Sequence, residues 1–500
     1  MIINLRRGLR YAGFLSWLVM LSACTAFSDH APVAASKPWT APPTPADWQS
    51  LAVDGVHHAP TSSTVAEVPE VDPQKTYDLP ELVNLAQLNN PVTRVAWSQA
   101  RQAASAIGLS EAAYLPMLSA NVIGGKVSTK QRLPEVLGER LRVDSSVKGY
   151  AAMLGLEWLL FDFGGRASAN EAAHYLSSVA NFSFNVVHQQ LAFNVTSAYY
   201  AYGAAMQREK IADQALTNTQ AILRAAQARR KNGLATSVEV AQAQQLVAQM
   251  QLQKAMAQGA SRNAYQLLVQ HVGVPYDTRL TVTDGSTLPL PMANELPKDG
   301  SLRRALADRP DILASIASLK AAESAVEVAR SSFLPKVYLA GFVLGGNNNL
   351  GIGPLSGLSN SGSTHAVVLG MSVPLYDGGI RSAQLFDAQE RVSAAQATVE
   401  KLRSTALSEM VTASNVLDNA LASYHAAQAW VETTAFTYNA ALETYKEGLG
   451  TVTVATEAAT LLLEARGALV DAHAASLTAA AALALALGQL DVNTPDFRKP

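Results

Sequence analysis

The side chains able to do chemistry are few, and their spacing decides which chemistry is open to them. The chain's one cysteine closes the run Leu21-Ser22-Ala23-Cys24, after a positive segment (Arg6, Arg7, Arg10) and an apolar stretch from Tyr11 to Leu21. That order reads as an export signal ending in a bacterial lipobox, with Cys24 as the lipidated first residue of the mature chain. Thr25 follows in place of Asp, which favours sorting to the outer membrane. A single cysteine excludes an internal disulfide framework and any multi-cysteine metal site. His57-His58 lies among prolines, and two histidines alone make a weak metal site. Ser145-Ser146-Val147-Lys148 fits S-x-x-K, yet it opens a strand and has no companion motif. His188, His425 and His473 fall inside helical patterns as packed or solvated side chains. Asp162 and Asp377 each stand at a strand-to-helix passage beside glycine and read as helix caps. G-x-x-x-x-G-K-[ST], H-E-x-x-H and G-x-S-x-G do not occur. No catalytic residue, cofactor or metal is expected.

Composition narrows the field further. The 500 residues carry 38 Lys+Arg and 40 Asp+Glu, 38 − 40 = −2 with His neutral, so bulk charge offers nothing to nucleic acid. Charged residues are 16% against roughly 25% in an average soluble domain, hydrophobic ones 49% and aromatics 7%. An uncharged, Ala-rich chain suits long helices packed closely together. Pro32, Pro38, Pro42, Pro43, Pro45, Pro60, Pro69 and Pro73 break any periodicity after Cys24, giving an extended tether that Trp39 and Trp48 would pin to the folded body.

From Tyr77 onward the chain repeats itself. Asn89-Asn90-Pro91 matches Asp308-Arg309-Pro310, and Tyr114-Leu115-Pro116 matches Phe333-Leu334-Pro335, both at an offset of 219. Phe161-Asp162 matches Tyr376-Asp377, and Gly233-Leu234 matches Gly448-Leu449, both at 215. Each half opens with a helix of about 35 residues, Pro80 to Tyr114 and Ser301 to Phe333, stopped by proline. Alternating segments follow. Val367, Leu369, Met371, Val373 and Leu375 share one face, as do Tyr150, Ala152, Leu154, Leu156, Trp158 and Leu160. Leu118 to Gly124 and Val337 to Leu344 read as their hairpin partners, with loops at Lys126 to Lys148 and Gly345 to Ser363. Strands of about 10 residues suit a tilted transmembrane barrel with the aromatic-bearing face toward lipid. Four strands cannot close, and open edges are not viable in hydrocarbon, so the choice is an oligomeric barrel or a soluble sandwich. Two protomers would supply eight strands and three would supply twelve. A very long helix comes next in each half, about 100 Å at 1.5 Å per residue, and then a returning helix with a seam at Val240, Ala243, Val247 and Met250.

In order and duplicated, these short motifs resemble the TolC-like outer-membrane-factor family, in its lipoprotein branch. The resemblance runs from Tyr77 to Leu490 and rests on Arg309-Pro310-Asp311, Phe333-Leu334-Pro335, Leu375-Tyr376-Asp377-Gly378-Gly379 and the Gly233 and Gly448 turns. It implies a mainly α fold with transmembrane β. Long coiled-coil hairpins and four β-strands per protomer would complete, as a homotrimer, a twelve-stranded barrel and a helical tunnel. The implied organisation is a signal peptide at 1–23, a lipid-anchored tether at 24–75, a first repeat at 76–275 and a second at 301–490. The first repeat holds a strand hairpin at 117–160, a long helix at 163–232 and a helix at 234–272. The second holds their counterparts at 336–377, 379–447 and 449–488. A linker at 276–300 joins the repeats, and 491–500 is a tail.

The implied function is passive export across the outer membrane, small-molecule efflux first and type I protein secretion as the alternative. The partners would be a periplasmic membrane-fusion adaptor, an inner-membrane pump of RND or ABC type, and outer-membrane lipid. A periplasmic coiled-coil structural protein is the reading from a different class. Gly233-Leu234-Ala235-Thr236 and Gly448-Leu449-Gly450-Thr451 are similar to the family's adaptor-facing tips. Tyr445 aligns with the family's latch tyrosine, and Glu239 with a latch aspartate, so a Tyr445–Glu239 hydrogen bond is expected. The latch arginine position holds Gly450 and the outer constricting aspartate position holds Val454, leaving Glu457 to keep the inner acidic ring.

Overall fold

A computed structural model describes residues 31–40, 71–132 except 73, 142–285, 288–291, 305–352 and 355–490. Cys24, the 1–23 signal segment, His57-His58, Trp48 and the 491–500 tail lie outside them. In chain order the elements are β1 (Thr76–Tyr77), α1 (Leu79–Asn89), α2 (Pro91–Ala112), β2 (Met117–Arg132), β3 (Arg142–Phe161), α3 (Gly165–Lys231), α4 (Ser237–Val272), β4 (Thr281–Val282), α5 (Pro310–Ser331), β5 (Lys336–Ile352), β6 (Leu355–Ser372), α6 (Ile380–Lys446) and α7 (Val452–Ala486). They fall into two compact units, one of Gln102–Ser177 and Ala317–Ala397, the other of Met1–Arg101, Ser178–Ile316 and Thr398–Pro500.

The first unit holds one antiparallel sheet in the order β2-β3-β5-β6, not two stacked sheets. Its strands are 16, 20, 17 and 18 residues long, well beyond the 10 expected. The segments expected as loops at 126–148 and 345–363 are mostly strand, with Lys126 opposite Lys148 and Gly345 opposite Ser363. Hydrophobic alternation stops near those residues, but an antiparallel ladder pairs N–H with C=O whatever the side chains are, so pairing outruns the apolar pattern. The register sets Leu118, Leu156, Gly341 and Val367 in one row across the sheet. Leu118, Leu154, Val343, Val367 and Leu369 on that face are all more than half exposed. Among the described residues, the outer edges of β2 and β6 carry no partner strand.

At each strand-to-helix passage the two halves use the same device. Asp162 accepts the Arg166 N–H at 2.8 Å, while Arg166 Nη1 donates to the Leu159 carbonyl at 2.7 Å and its guanidinium covers the Tyr114 ring at 4.7 Å. Asp377 accepts the Arg381 N–H at 3.1 Å, Arg381 Nη1 donates to the Pro374 carbonyl at 2.9 Å, and the guanidinium covers the Phe333 ring at 5.3 Å. The aspartates satisfy the first free N–H groups of α3 and α6, and the arginines return the helix starts to the ends of the strands.

In the second unit the expected 35-residue first helix is two helices. Asn90 takes ψ 127° between α1 and α2 because Pro91 bars it from helical geometry. Arg309 occupies the matching break between the helical residues 305–308 and α5. Each break residue holds the end of a returning helix: Asn90 Nδ2 donates to the His271 carbonyl and Arg309 Nη1 to the Ala486 carbonyl, both at 2.9 Å. Burial would raise the Asp311 carboxyl, but hydrogen bonds from Arg309 outweigh it and hold the group below its usual range. The 276–300 linker is partly structured, since β4 pairs in parallel with β1. The α4 seam buries Val240, Ala243, Leu246 and Met250, with Leu246 in the place expected for Val247. These residues pack with Ala226, Tyr445, Ala455 and Ala459, and the small side chains let four helices approach closely.

Residues 31–40 lie along α2 and α3. Asn185 clasps Trp39 from both sides, accepting its N–H and donating to its carbonyl, each at 2.7 Å. Trp97 Nε1 donates to the Pro32 carbonyl at 2.8 Å, and His188 Nε2 donates to the Ala35 carbonyl at 2.9 Å. The Trp39 ring stands edge-on to Phe182, so this part of the tether is pinned as expected. Burial drives the His188 pKa from 6.5 down to about 4, and among the described residues its Nδ1 has no partner. A released strap frees His188 to take up a proton, so docking is fully stable above pH 6.5 and weakens as pH falls from 6.5 toward about 4. Hydrogen exchange of residues 31–40, corrected for the intrinsic rate, should lose protection across that window, and a His188→Phe chain should not. Flat protection in the unaltered chain would contradict this.

Candidate functional site: the paired helix turns

Two turns join the long helices to their returning partners. The last residues of α3 leave carbonyls that only a left-handed residue can close back upon, and Gly233 supplies it at φ 73°. Gly233 N–H then bonds the Arg230 carbonyl at 3.0 Å and Leu234 N–H the Arg229 carbonyl at 2.8 Å. The α6 end repeats this with Gly448 at φ 84°, bonding the Tyr445 carbonyl at 3.2 Å, and Leu449 N–H bonding Thr444 at 2.9 Å. Both closures are Schellman motifs. The residue after each glycine, Leu234 or Leu449, is pushed outward and is 68% or 84% exposed. Thr236 and Thr451 then start the returning helices as N-caps. Ala235 is half-buried, as is Gly450, where a Cβ would stand 3.1 Å from Thr444 Oγ1.

The two turns differ at the third residue of the returning helix. Glu239 completes a capping box, its Oε1 accepting the Thr236 N–H at 3.2 Å, whereas Val454 stands at the matching place in α7. The other Glu239 oxygen reaches across to Tyr445, whose hydroxyl donates at a long 3.5 Å. Tyr445 is fully buried. Burial, and after it the Glu239 carboxylate, push its phenol above the usual range, so the hydroxyl keeps its proton and stays a donor. Glu457 is exposed, two turns into α7, and has no ion pair among the described residues. It does not join the Tyr445–Glu239 pair.

Arg229 was not anticipated. Its guanidinium lies over the Tyr445 ring at 5.1 Å, Nη1 donates to the Tyr445 carbonyl at 2.7 Å and Nη2 to the Leu234 carbonyl at 3.2 Å. One side chain therefore ties the end of α6 to the turn after α3. Arginine is absent from position 450, where the family pattern would put it, and this one enters from the other repeat. The available signal was its place four residues before Gly233, inside the last helical turn, where a long side chain can reach free carbonyls.

Arg229→Ala should remove two charge-assisted bonds to carbonyls and cost about 2–3 kcal/mol locally. Hydrogen exchange should rise in both turns, 233–236 and 448–451. Tyr445→Phe, which loses one long bond, should cost at most about 1 kcal/mol. Loosening confined to the first turn would contradict the tie.

Residues 82–274 and 301–489 match the family described as outer membrane efflux protein. Protein CyaE of Bordetella pertussis is 29% identical over 391 residues, 77% of this chain and 78% of that one. The pyoverdine export outer membrane protein OpmQ of Pseudomonas putida is 30% identical over 304 residues, 59% of this chain and 61% of that protein. The Campylobacter jejuni CmeC outer membrane channel shares the fold at a TM-score of 0.69 and 21% identity, over 82% of this chain and 85% of that chain. The family match runs through both halves, with a gap at 275–300 where one repeat gives way to the next, and the chain therefore belongs to the outer membrane efflux protein family.

Proposed function

We propose that three copies of this chain form a passive conduit across the outer membrane, fed by a periplasmic adaptor and an inner-membrane pump. The observation that carries this reading is the open four-stranded sheet. It has an exposed apolar face, and its two edges can be satisfied in hydrocarbon only by other copies. Three copies supply 3 × 4 = 12 strands. The long helices α3 and α6, 67 residues each, continue the passage into the periplasm. Leu234 and Leu449, apolar and exposed beyond rigid turns, suit contact with an adaptor. The buried Tyr445–Glu239–Arg229 cluster suits a latch that holds the turns in place, and Glu457 supplies one carboxylate per protomer to the passage. A lipid on Cys24 adds a second hold on the membrane. Small-molecule cargo is supported by relatives named for pyoverdine export and for solvent and toluene efflux.

Purified chain added to planar bilayers should open water-filled pores and sediment in detergent as one oligomer. A Glu457→Gln chain should open equally often but with reduced preference for cations. A soluble monomer without conductance would overturn the conduit, and unchanged selectivity would remove Glu457 from the passage.

A further inference from the structure

The sheet carries its positive charge unevenly. Lys126 on β2 and Lys148 on β3 stand directly opposite each other, on the face that bears Leu118, Val122, Tyr150, Leu154 and Leu156. Directly opposed like charges destabilise a strand pair, so this placement has a cost that something must offset. Both lysines are exposed, and among the described residues neither has a hydrogen bond or an ion pair. The strands themselves have little to offer them. β2, β5 and β6 contain no Asp or Glu, and β3 contains only Asp144 and Glu157. Asp144 stands opposite Lys130, four residues further along, while Glu157 is at an odd-numbered position of β3 and so on the opposite face from Lys148. A neighbouring copy pairing through β6 would bring no carboxylate strand residue at any register.

Height places the pair against a particular layer. From Trp158, near the foot of the apolar band, to Lys148 is 158 − 148 = 10 residues. At 3.3 Å per residue and a tilt of about 40° that is roughly 25 Å along the membrane normal, the height of the apolar band of such barrels. Tyr150, 57% exposed and one row below the lysines, is an aromatic residue of the kind found at the interface. The matching pair in the second half (126 + 219 = 345, 148 + 215 = 363) is Gly345–Ser363, so the charge belongs to the first half alone.

We propose that Lys126 and Lys148 form a binding site for the phosphate of an anionic lipid headgroup in the outer leaflet, one site on the lipid-facing side of each protomer. This rests on the conduit reading, which sets that face toward lipid. The phosphate neutralises both ammonium groups at once, and the acyl chains run down the apolar rows below Tyr150.

The test is native mass spectrometry of the purified full chain with phosphatidic acid, phosphatidylcholine or inorganic phosphate, with pore formation followed in parallel. Phosphatidic acid should be retained in preference to phosphatidylcholine. Lys126→Gln with Lys148→Gln should weaken that retention about tenfold or more, while Lys126→Arg with Lys148→Arg should keep it. Equal retention by the Gln chain, an equal loss in Lys130→Gln, or loss in the Arg chain would overturn the site. So would full competition by inorganic phosphate, which would mark a free-anion site. If the unaltered chain opens no pores, the conduit reading fails; if it opens pores and shows no preference between the lipids, only the lipid site fails.

Discussion

A four-stranded antiparallel sheet with one apolar face and two bare edges is the constraint on which the rest of this chain depends. Each unpaired backbone group in hydrocarbon costs several kcal/mol, and the edges of β2 and β6 present rows of them. No change of side chain cures that, since the groups are main-chain. The conduit proposed above removes that cost by closure with other copies, and such closure demands that the strands meet the helices at a fixed angle. The paired Asp162–Arg166 and Asp377–Arg381 devices serve this need by joining helix start to strand end, each with an aromatic ring beneath the guanidinium.

The helical part solves a different problem with the same economy of residues. Long helices of low charge would slide past one another if only apolar contact held them. Specific polar ties set their alignment instead: Asn90 and Arg309 on the ends of the returning helices, Arg229 across the two turns, and Asn185 and His188 on the strap. Most end on backbone carbonyls, the groups that helix ends and extended segments leave free. Bulk charge near zero fits this design, since alignment falls to a few placed groups.

Much of this was legible in the residues. The offsets of 219 and 215 located both halves, the turns and the helix caps at Asp162 and Asp377, because short motifs repeated in order are hard to produce by chance. The breaks at Asn90 and Arg309 were readable from the prolines that follow, yet strong helical periodicity on both sides hid them. Strand length was under-read because hydropathy reports the lipid-facing rows and not the hydrogen-bond ladder. Arg229 escaped notice because its partner lies 216 residues away, a contact that only the folded arrangement of the two turns creates.

Closure between copies is tested most directly by joining the two edges covalently. In a Cys24→Ser chain, one cysteine replaces Val122 on β2 and another replaces Ser363, His365 or Val367 on β6, and the membrane-bound protein is oxidised. Closure among three copies predicts, for at least one pairing, a ladder of linked products that ends at three copies. Products confined to the single chain, or a ladder ending at two, would contradict it.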